Sequence, residues 1–327
     1  MTTMPWVPDP ACGDWVRAGL DLEGDGRWTI HTFVPRGFEA YARVLHPLRR
    51  EVDGADVRWS QVAAAFGTPL RPTADLDRLC GRPWSGNEDV VTPQGEALEA
   101  PVEGLVPADV LAAVAERLAR HTSTPDRGVV GVWEGIGGLV SSAGRASFVA
   151  WSPVWWLRWL VVPVWKLIRT VRRVAVELRH RRRARGTVEY GLAPPDPDAP
   201  APGTGVLAVD AAAGPRLELP FRSHILFAAG IERFTGPGWI DDAPWIDDLD
   251  RRTSYPRTPA IFWPEDRAWV AANDVDDAWT LVGGSRALVD SLVADPALEA
   301  IELPAGAVLD APSRSDSPDR PTRYRSR

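Results

Sequence analysis

The sequence predicts an α+β protein: a single mixed or antiparallel sheet with a few helices, interrupted by a long helical insertion. Hairpin signals recur along the chain while repeated βαβ units are missing, which favours an antiparallel or mixed sheet over a doubly wound one. Helical stripes are few, and one stretch, residues 138–205, has a composition unlike the rest. The 327 residues are 45% hydrophobic and 25% charged, an ordinary globular balance. The expected organisation is one discontinuous domain (13–137 and 206–305), the insertion (138–205) and a disordered tail (311–327) rich in Ser, Pro, Asp and Arg.

Asp21 to Gly26 imitates the start of a calcium loop, but the twelfth position is Thr32 instead of a bidentate glutamate, so a Gly-Asp-Gly turn is the better account. Alternation over Arg27–Val34 then predicts a strand stopped by Pro35. Arg36–His46 reads as a helix, with Phe38, Tyr41, Ala42 and Leu45 as its apolar stripe and Glu39, Arg43 and His46 on another face. A second helix covers Val57–Phe66, with Gly67 suited to its C-terminal cap. The next forty residues, rich in Pro, Gly, Asp and Arg, look irregular. From Pro107 the clearest helix of the chain follows, carrying Val110, Leu111, Val114 and Leu118 on one stripe.

Gly128–Trp133 predicts a strand running into a tight turn. Gly135 and Gly137 begin a G-x-G, but Val140 stands where a dinucleotide fingerprint needs its third glycine. Residues 193–205 form a Pro/Ala linker. Leu217–Pro220 and His224–Ala228 are short strands. In Trp239–Asp250, Trp-Ile-Asp-Asp occurs twice; its five aspartates suit an acidic loop pinned by two tryptophans better than a hard-cation site. Ala260–Trp263 and Ala268–Ala272 form a hairpin around Pro264-Glu265-Asp266-Arg267. Ser285 caps a helix with Leu288, Val289 and Leu292 as apolar positions, and Leu298–Leu303 is a further strand.

Rare residues exclude several chemistries. Lys166 is the single lysine beside 36 arginines, so neither a phosphate-binding G-x-x-x-x-G-K-[ST] loop nor a Schiff-base site is expected, and no cofactor is called for. Cys12 and Cys80 cannot make a cysteine-rich zinc site, and the five histidines show no H-x-H or H-E-x-x-H spacing, so no metal is expected. The GGLVSSAG stretch lacks the first glycine of a G-x-S-x-G elbow. The first ten residues lack the basic start and apolar core of a secretory signal, and two free thiols suit a reducing cytoplasm.

The blocks VPRGFEAYARVLHPLRRE (34–51), LAAVAERLARHT (111–122) and FWPEDRAWVAANDVDDAWTLVGGSRALVDSLVADPALEAIELP (262–304) resemble a group of uncharacterised bacterial proteins. That family has no established activity, so the resemblance implies no catalytic residues. In its usual members a short connection follows the strand near Trp133; here the long insertion takes its place.

The insertion is the physically odd segment. Phe148–Ile168 holds five of the 16 tryptophans, Trp151, Trp155, Trp156, Trp159 and Trp165. Residues 166–185 hold nine Lys/Arg and one acid, a local net of +8, which leaves −15 on the rest of a chain whose total is −7. A membrane span needs about 20 mostly apolar residues. Arg158 near the middle, together with Pro153 and Pro163, argues against one. From Val164, an apolar stripe (Val164, Leu167, Ile168, Val171, Val174, Ala175, Leu178) faces away from Lys166, Arg169, Arg172, Arg173 and Arg179. Tryptophans, an apolar face and an arginine face describe a helix resting on an anionic lipid surface. The expectation is therefore a non-enzymatic cytoplasmic binding or interaction protein, peripheral on the inner face of the membrane, with its protein partner unidentified. The alternatives are a hydrolase assembled from Arg43, His46, Glu265, Asp266, Arg267 and Ser285, an insertion packed on its own domain, and an oligomerisation or nucleic-acid-contacting arm; the net negative charge disfavours nucleic acid.

Overall fold

The computed structural model of the chain describes residues 3–21, 28–82, 88–142, 201–248, 250–252 and 256–309. The calcium-like turn, the Trp/Arg-rich insertion with most of its linker, and the tail expected to be disordered lie outside the described residues. The strands are β1 (Ala40–Leu45), β2 (Leu48–Arg50), β3 (Asp56–Val57), β4 (Val90–Val91), β5 (Ala97–Glu99) and β6 (Gly128–Trp133). After the insertion come β7 (Leu217–Leu219), β8 (Arg222–Ala228), β9 (Ile261–Pro264), β10 (Val270–Ala272), β11 (Trp279–Gly284) and β12 (Ala300–Leu303).

Eight of them form one antiparallel sheet in the order β12-β1-β11-β10-β9-β6-β8-β7. β1 lies between two strands from the far end of the chain, with Tyr41 opposite both Gly283 and Leu303. β6 lies between β9 and β8, with Val130 opposite Phe262 and Phe227. Residues 5–7 continue the edge beyond β7: Trp6 bridges Phe227, and Ala228 donates to the Pro5 carbonyl at 2.8 Å.

Side-chain alternation divides the interior in two. Ala40, Ala42, Val44, Val130, Phe227, Phe262 and Val282 project to one face, Tyr41, Leu45, Leu226, Ile261, Trp263 and Leu281 to the other. Among the described residues the helices are α1 (Asp14–Ala18), α2 (Trp59–Phe66), α3 (Leu76–Leu79), α4 (Ala108–Arg120), α5 (Val209–Ala213), α6 (Trp239–Asp242) and α7 (Arg286–Val293). α4 and α7 cover the first face; the expected α4 stripe of Val110, Leu111, Val114 and Leu118 is buried there. Trp269 donates its indole N–H to the Leu118 carbonyl at 3.0 Å, and Arg117 pairs with the buried Asp295 at 2.7 Å, tying α4 to the end of α7. α2 packs on the second face. It starts on the carboxylate of Glu299, which accepts from the backbone N–H of Trp59 and Ser60 at 2.6 and 2.8 Å, and ends on Gly67 at φ 67°. Ser285 caps α7 as expected, accepting from Leu288 N–H at 3.2 Å.

Three expectations are corrected. Arg36–His46 is not a helix but contains β1, every residue of which is buried. With both faces covered, the strand shows no polar alternation, and its apolar residues happen to fit a 3.6 period as well. Arg27–Val34 is not a strand in its described part: Ile30–Thr32 form a 3-10 turn, because Thr29 takes a capping role and accepts from His31 N–H at 3.1 Å. There is also more than the single sheet expected. β2 to β5 form a separate antiparallel sheet in the order β3-β2-β5-β4, with Leu48 opposite Val57 and Val90 opposite Leu98. Strands of two and three residues are too short for their periodicity to be read from sequence.

Leu118 is 1% exposed beneath the sheet. Leu118→Ala is expected to lower the unfolding free energy by about 2–5 kcal/mol, measured by urea denaturation; a loss under about 1 kcal/mol would contradict this packing.

Candidate functional site

Two places stand out, the base of the insertion and a seam of carboxylates. At the first, the chain leaves β6, turns through Gly138 at φ 79° and runs alongside the segment that returns after the insertion. Val206 and Leu207 donate to the carbonyls of Gly138 and Leu139 at 3.0 and 3.1 Å, and Gly203 donates to that of Val140 at 2.8 Å. Ser142 N–H donates to Thr204 Oγ1 at 3.1 Å. Leu139 and Leu207 are buried in the core on the α4 face. Only glycine fits at position 205, since a Cβ there would lie 2.5 Å from the Leu139 carbonyl oxygen. The segments on either side of residues 143–200 are thus joined to each other on one folded unit. The membrane-interface candidates Trp151, Trp155, Trp156, Trp159, Trp165, Lys166, Arg169, Arg172, Arg173 and Arg179 lie outside the described residues. No helix among the described residues is long and apolar enough to cross a membrane.

The second place is the meeting of the loop before α4 with the β10–β11 loop, Asn273 to Ala278. Gly104 joins them: its N–H donates to the Asp277 carbonyl at 3.0 Å and its carbonyl accepts from Asn273 Nδ2 at 3.2 Å. Gly104 sits at φ 73°, and a Cβ there would come within 2.8 Å of the Val275 backbone, so no other residue allows this approach. The contact gathers like charges. Burial, with Asp276, Asp77 and Asp274 nearby, pushes the Glu103 carboxyl up to about 7. Burial and then Asp274 push Asp277 to about 7, against the opposing field of Arg43. Arg222 neutralises part of this charge, reaching Asp274 at 3.0 Å and Asp276 at 2.7 Å with one nitrogen, and Arg82 holds Asp77 at 2.7 Å.

Of the six pocket candidates, the structure brings Arg43 and His46 near each other, keeps Glu265, Asp266 and Arg267 together on the β9–β10 turn, and sets Ser285 at the start of α7. Arg43 is 3% exposed; its guanidinium lies over Trp279 and Trp59, 5.1 and 5.6 Å from the ring centroids, and donates to the Pro72 and Ala74 carbonyls. His46 is fully buried, with Nε2 3.0 Å from Thr280 Oγ1; burial, with Arg43 adding to it, holds the imidazole down at about 3. At the β9–β10 turn Glu265 pairs with Arg127 at 3.1 Å, while Asp266 accepts from Thr122 and Ser123. Arg267, at φ 57°, lies over Trp15, and Ser285 is occupied by its helix. These are structural roles. In Trp239–Asp250 both tryptophans are buried, and Asp242, Asp248 and Asp250 pair with Arg233, Arg251 and Arg257. Among the described residues no group of three or more His, Cys, Asp and Glu is placed to hold a metal ion. Burial raises both thiols, Cys80 to about 11, so neither is an activated nucleophile.

Sequence reasoning missed Glu103, Arg222, Asn273, Asp274, Asp276 and Asp277. The run Asn273-Asp274-Val275-Asp276-Asp277 between two strands was a usable signal; the arrival of Glu103 beside it, about 170 residues away in the chain, was not. No family model, no curated protein and no solved structure matches the chain.

The pH consequences have opposite signs. Asp277, near 3.9 when unfolded, favours the folded state when protonated, so its contribution is complete below about 4 and is lost as pH rises through about 7. Asp277→Asn is therefore expected to raise the melting temperature at pH 8 and to give little gain at pH 4; an equal gain at both would show that the charge is not strained. His46 and His224, held down at about 3 and about 4 by burial, act the other way: their contribution is present above about 6.5 and is lost as pH falls toward those values. Urea denaturation followed by the α-helical circular dichroism signal at pH 6.5 and pH 4 checks this, because the His46→Gln variant should lose less stability between the two than the parent.

Proposed function

We propose that the protein is a non-enzymatic cytoplasmic binding or interaction protein, attached peripherally to the inner face of the membrane through its insertion. The observation that carries this reading is the pairing of Gly138–Ser142 with Gly203–Leu207. Strands on both sides of the insertion interleave in one sheet, so they occupy one aqueous side, and a single crossing by residues 143–200 would separate them. What the insertion contributes is its sequence: five tryptophans, then a stripe of aliphatic residues beside nine basic ones. Tryptophan rings favour the headgroup level, and each basic residue near an anionic surface adds about 1 kcal/mol. The hydrolase reading has no comparable support, since Arg43 and His46, the turn residues Glu265 to Arg267, and Ser285 are each engaged in structural contacts.

Flotation with vesicles containing anionic lipid tests this. The full chain is expected to rise with anionic vesicles, less so at high salt, and to stay behind with neutral ones. Replacing 143–200 by a short Gly/Ser linker, which the joined flanks permit, is expected to leave the circular dichroism of the sheet unit and abolish flotation. Equal recovery without the segment would overturn the reading.

A further inference from the structure

The seam around Gly104 is independent of the lipid reading, and its carboxylates outnumber the arginines Arg43, Arg82 and Arg222 that act on them. Arg222 is committed to Asp274 and Asp276, and Arg82 to Asp77. Neither the Glu103 nor the Asp277 carboxylate has a hydrogen-bond or ion-pair partner among the described residues. A separate observation points the same way. Asn273 is only 4% exposed, and its carboxamide spans the seam: the backbone adjoins Asp274 and Nδ2 donates to Gly104, next to Glu103. Its Oδ1, the other branch of the same planar group, is buried with no partner. Buried polar atoms are nearly always paired, so an orphaned acceptor in a seam where two carboxylates also stand without partners asks for a donor.

We propose that this seam binds an organic cation bearing N–H donors, a primary ammonium or a guanidinium, with Asp277 and Glu103 as counter-charges and Asn273 Oδ1 as a further acceptor. Such a cation is satisfied by two or three acceptors and forms strong charge-assisted bonds with carboxylates. A divalent metal fits less well: it needs about six converging oxygens, and Asp274 and Asp276 are already tied to Arg222. The cation has two sources, a free small molecule or a Lys or Arg side chain of a polypeptide.

Calorimetric titration of the full chain at pH 8 distinguishes these cases. The probes are agmatine, an acetylated and amidated tetra-arginine peptide, tetraethylammonium and magnesium chloride. Saturable binding of agmatine or the peptide is expected, at least tenfold weaker in Glu103→Gln and in Asp277→Asn and unchanged in Asp290→Asn, an exposed acid on α7. Tighter binding of the peptide assigns the site to a polypeptide side chain, tighter binding of agmatine to a small molecule. Both substitutions remove like-charge repulsion, so both variants should fold, and melting curves verify it. The proposal is overturned if neither probe binds saturably, if the Glu103 and Asp277 variants bind as well as the parent, or if tetraethylammonium or magnesium binds as tightly as agmatine. Vesicle flotation of Glu103→Gln should match the parent, which separates the outcome from the lipid reading.

Discussion

The rest of the structure depends on β1 being hydrogen-bonded on both edges by strands that follow it by more than two hundred residues. Tyr41–Val44 are paired with both β11 and β12, and buried backbone groups must be paired where water is excluded. The N-terminal segment therefore cannot complete its structure without the C-terminal one. β6, seated between β8 and β9, repeats the constraint in the middle of the chain. Whatever residues 143–200 do, the chain on both sides of them must converge on one sheet.

That convergence also explains the polar interior. β1 carries Arg43 into a fully covered layer, where the guanidinium lies over two indoles and takes backbone carbonyls as partners. The same two tryptophans anchor the neighbourhood: Trp59 donates to the His46 carbonyl at 2.7 Å, and Trp279 faces Leu45 across the sheet. The field of this buried positive charge partly offsets the repulsion at Asp277 in the β10–β11 loop. The acidic seam and the buried arginine are thus two sides of one electrostatic arrangement, produced by sheet order and not by any local run of sequence.

Legibility followed the range of the interaction. α4, β6, the β9–β10 hairpin and the Ser285-capped α7 could all be read, because a stripe, a turn or a cap within about a dozen residues specifies each. β1 could not: AYARVL carries both periods, and only pairing with β11 and β12 selects the extended one. The sequence pattern puts Arg43 and His46 on a shared helix face, and they lie close together for a different reason, their places on and just after one strand. The carboxylate seam was legible in half, as the acidic run 273–277; the other half arrives with Gly104.

By itself the sequence determined the local elements, the absence of lysine-, cysteine- and histidine-based motifs, and the amphiphilic, basic character of the insertion, because composition and short-range periodicity are properties of the chain alone. Only the tertiary structure decided that the described strands form two sheets, that β1 is a strand, that both flanks of the insertion meet, and that Gly104 is hydrogen-bonded to the Asp277 carbonyl. Each of these rests on contacts between residues far apart in the chain, whose energies depend on what else is buried beside them.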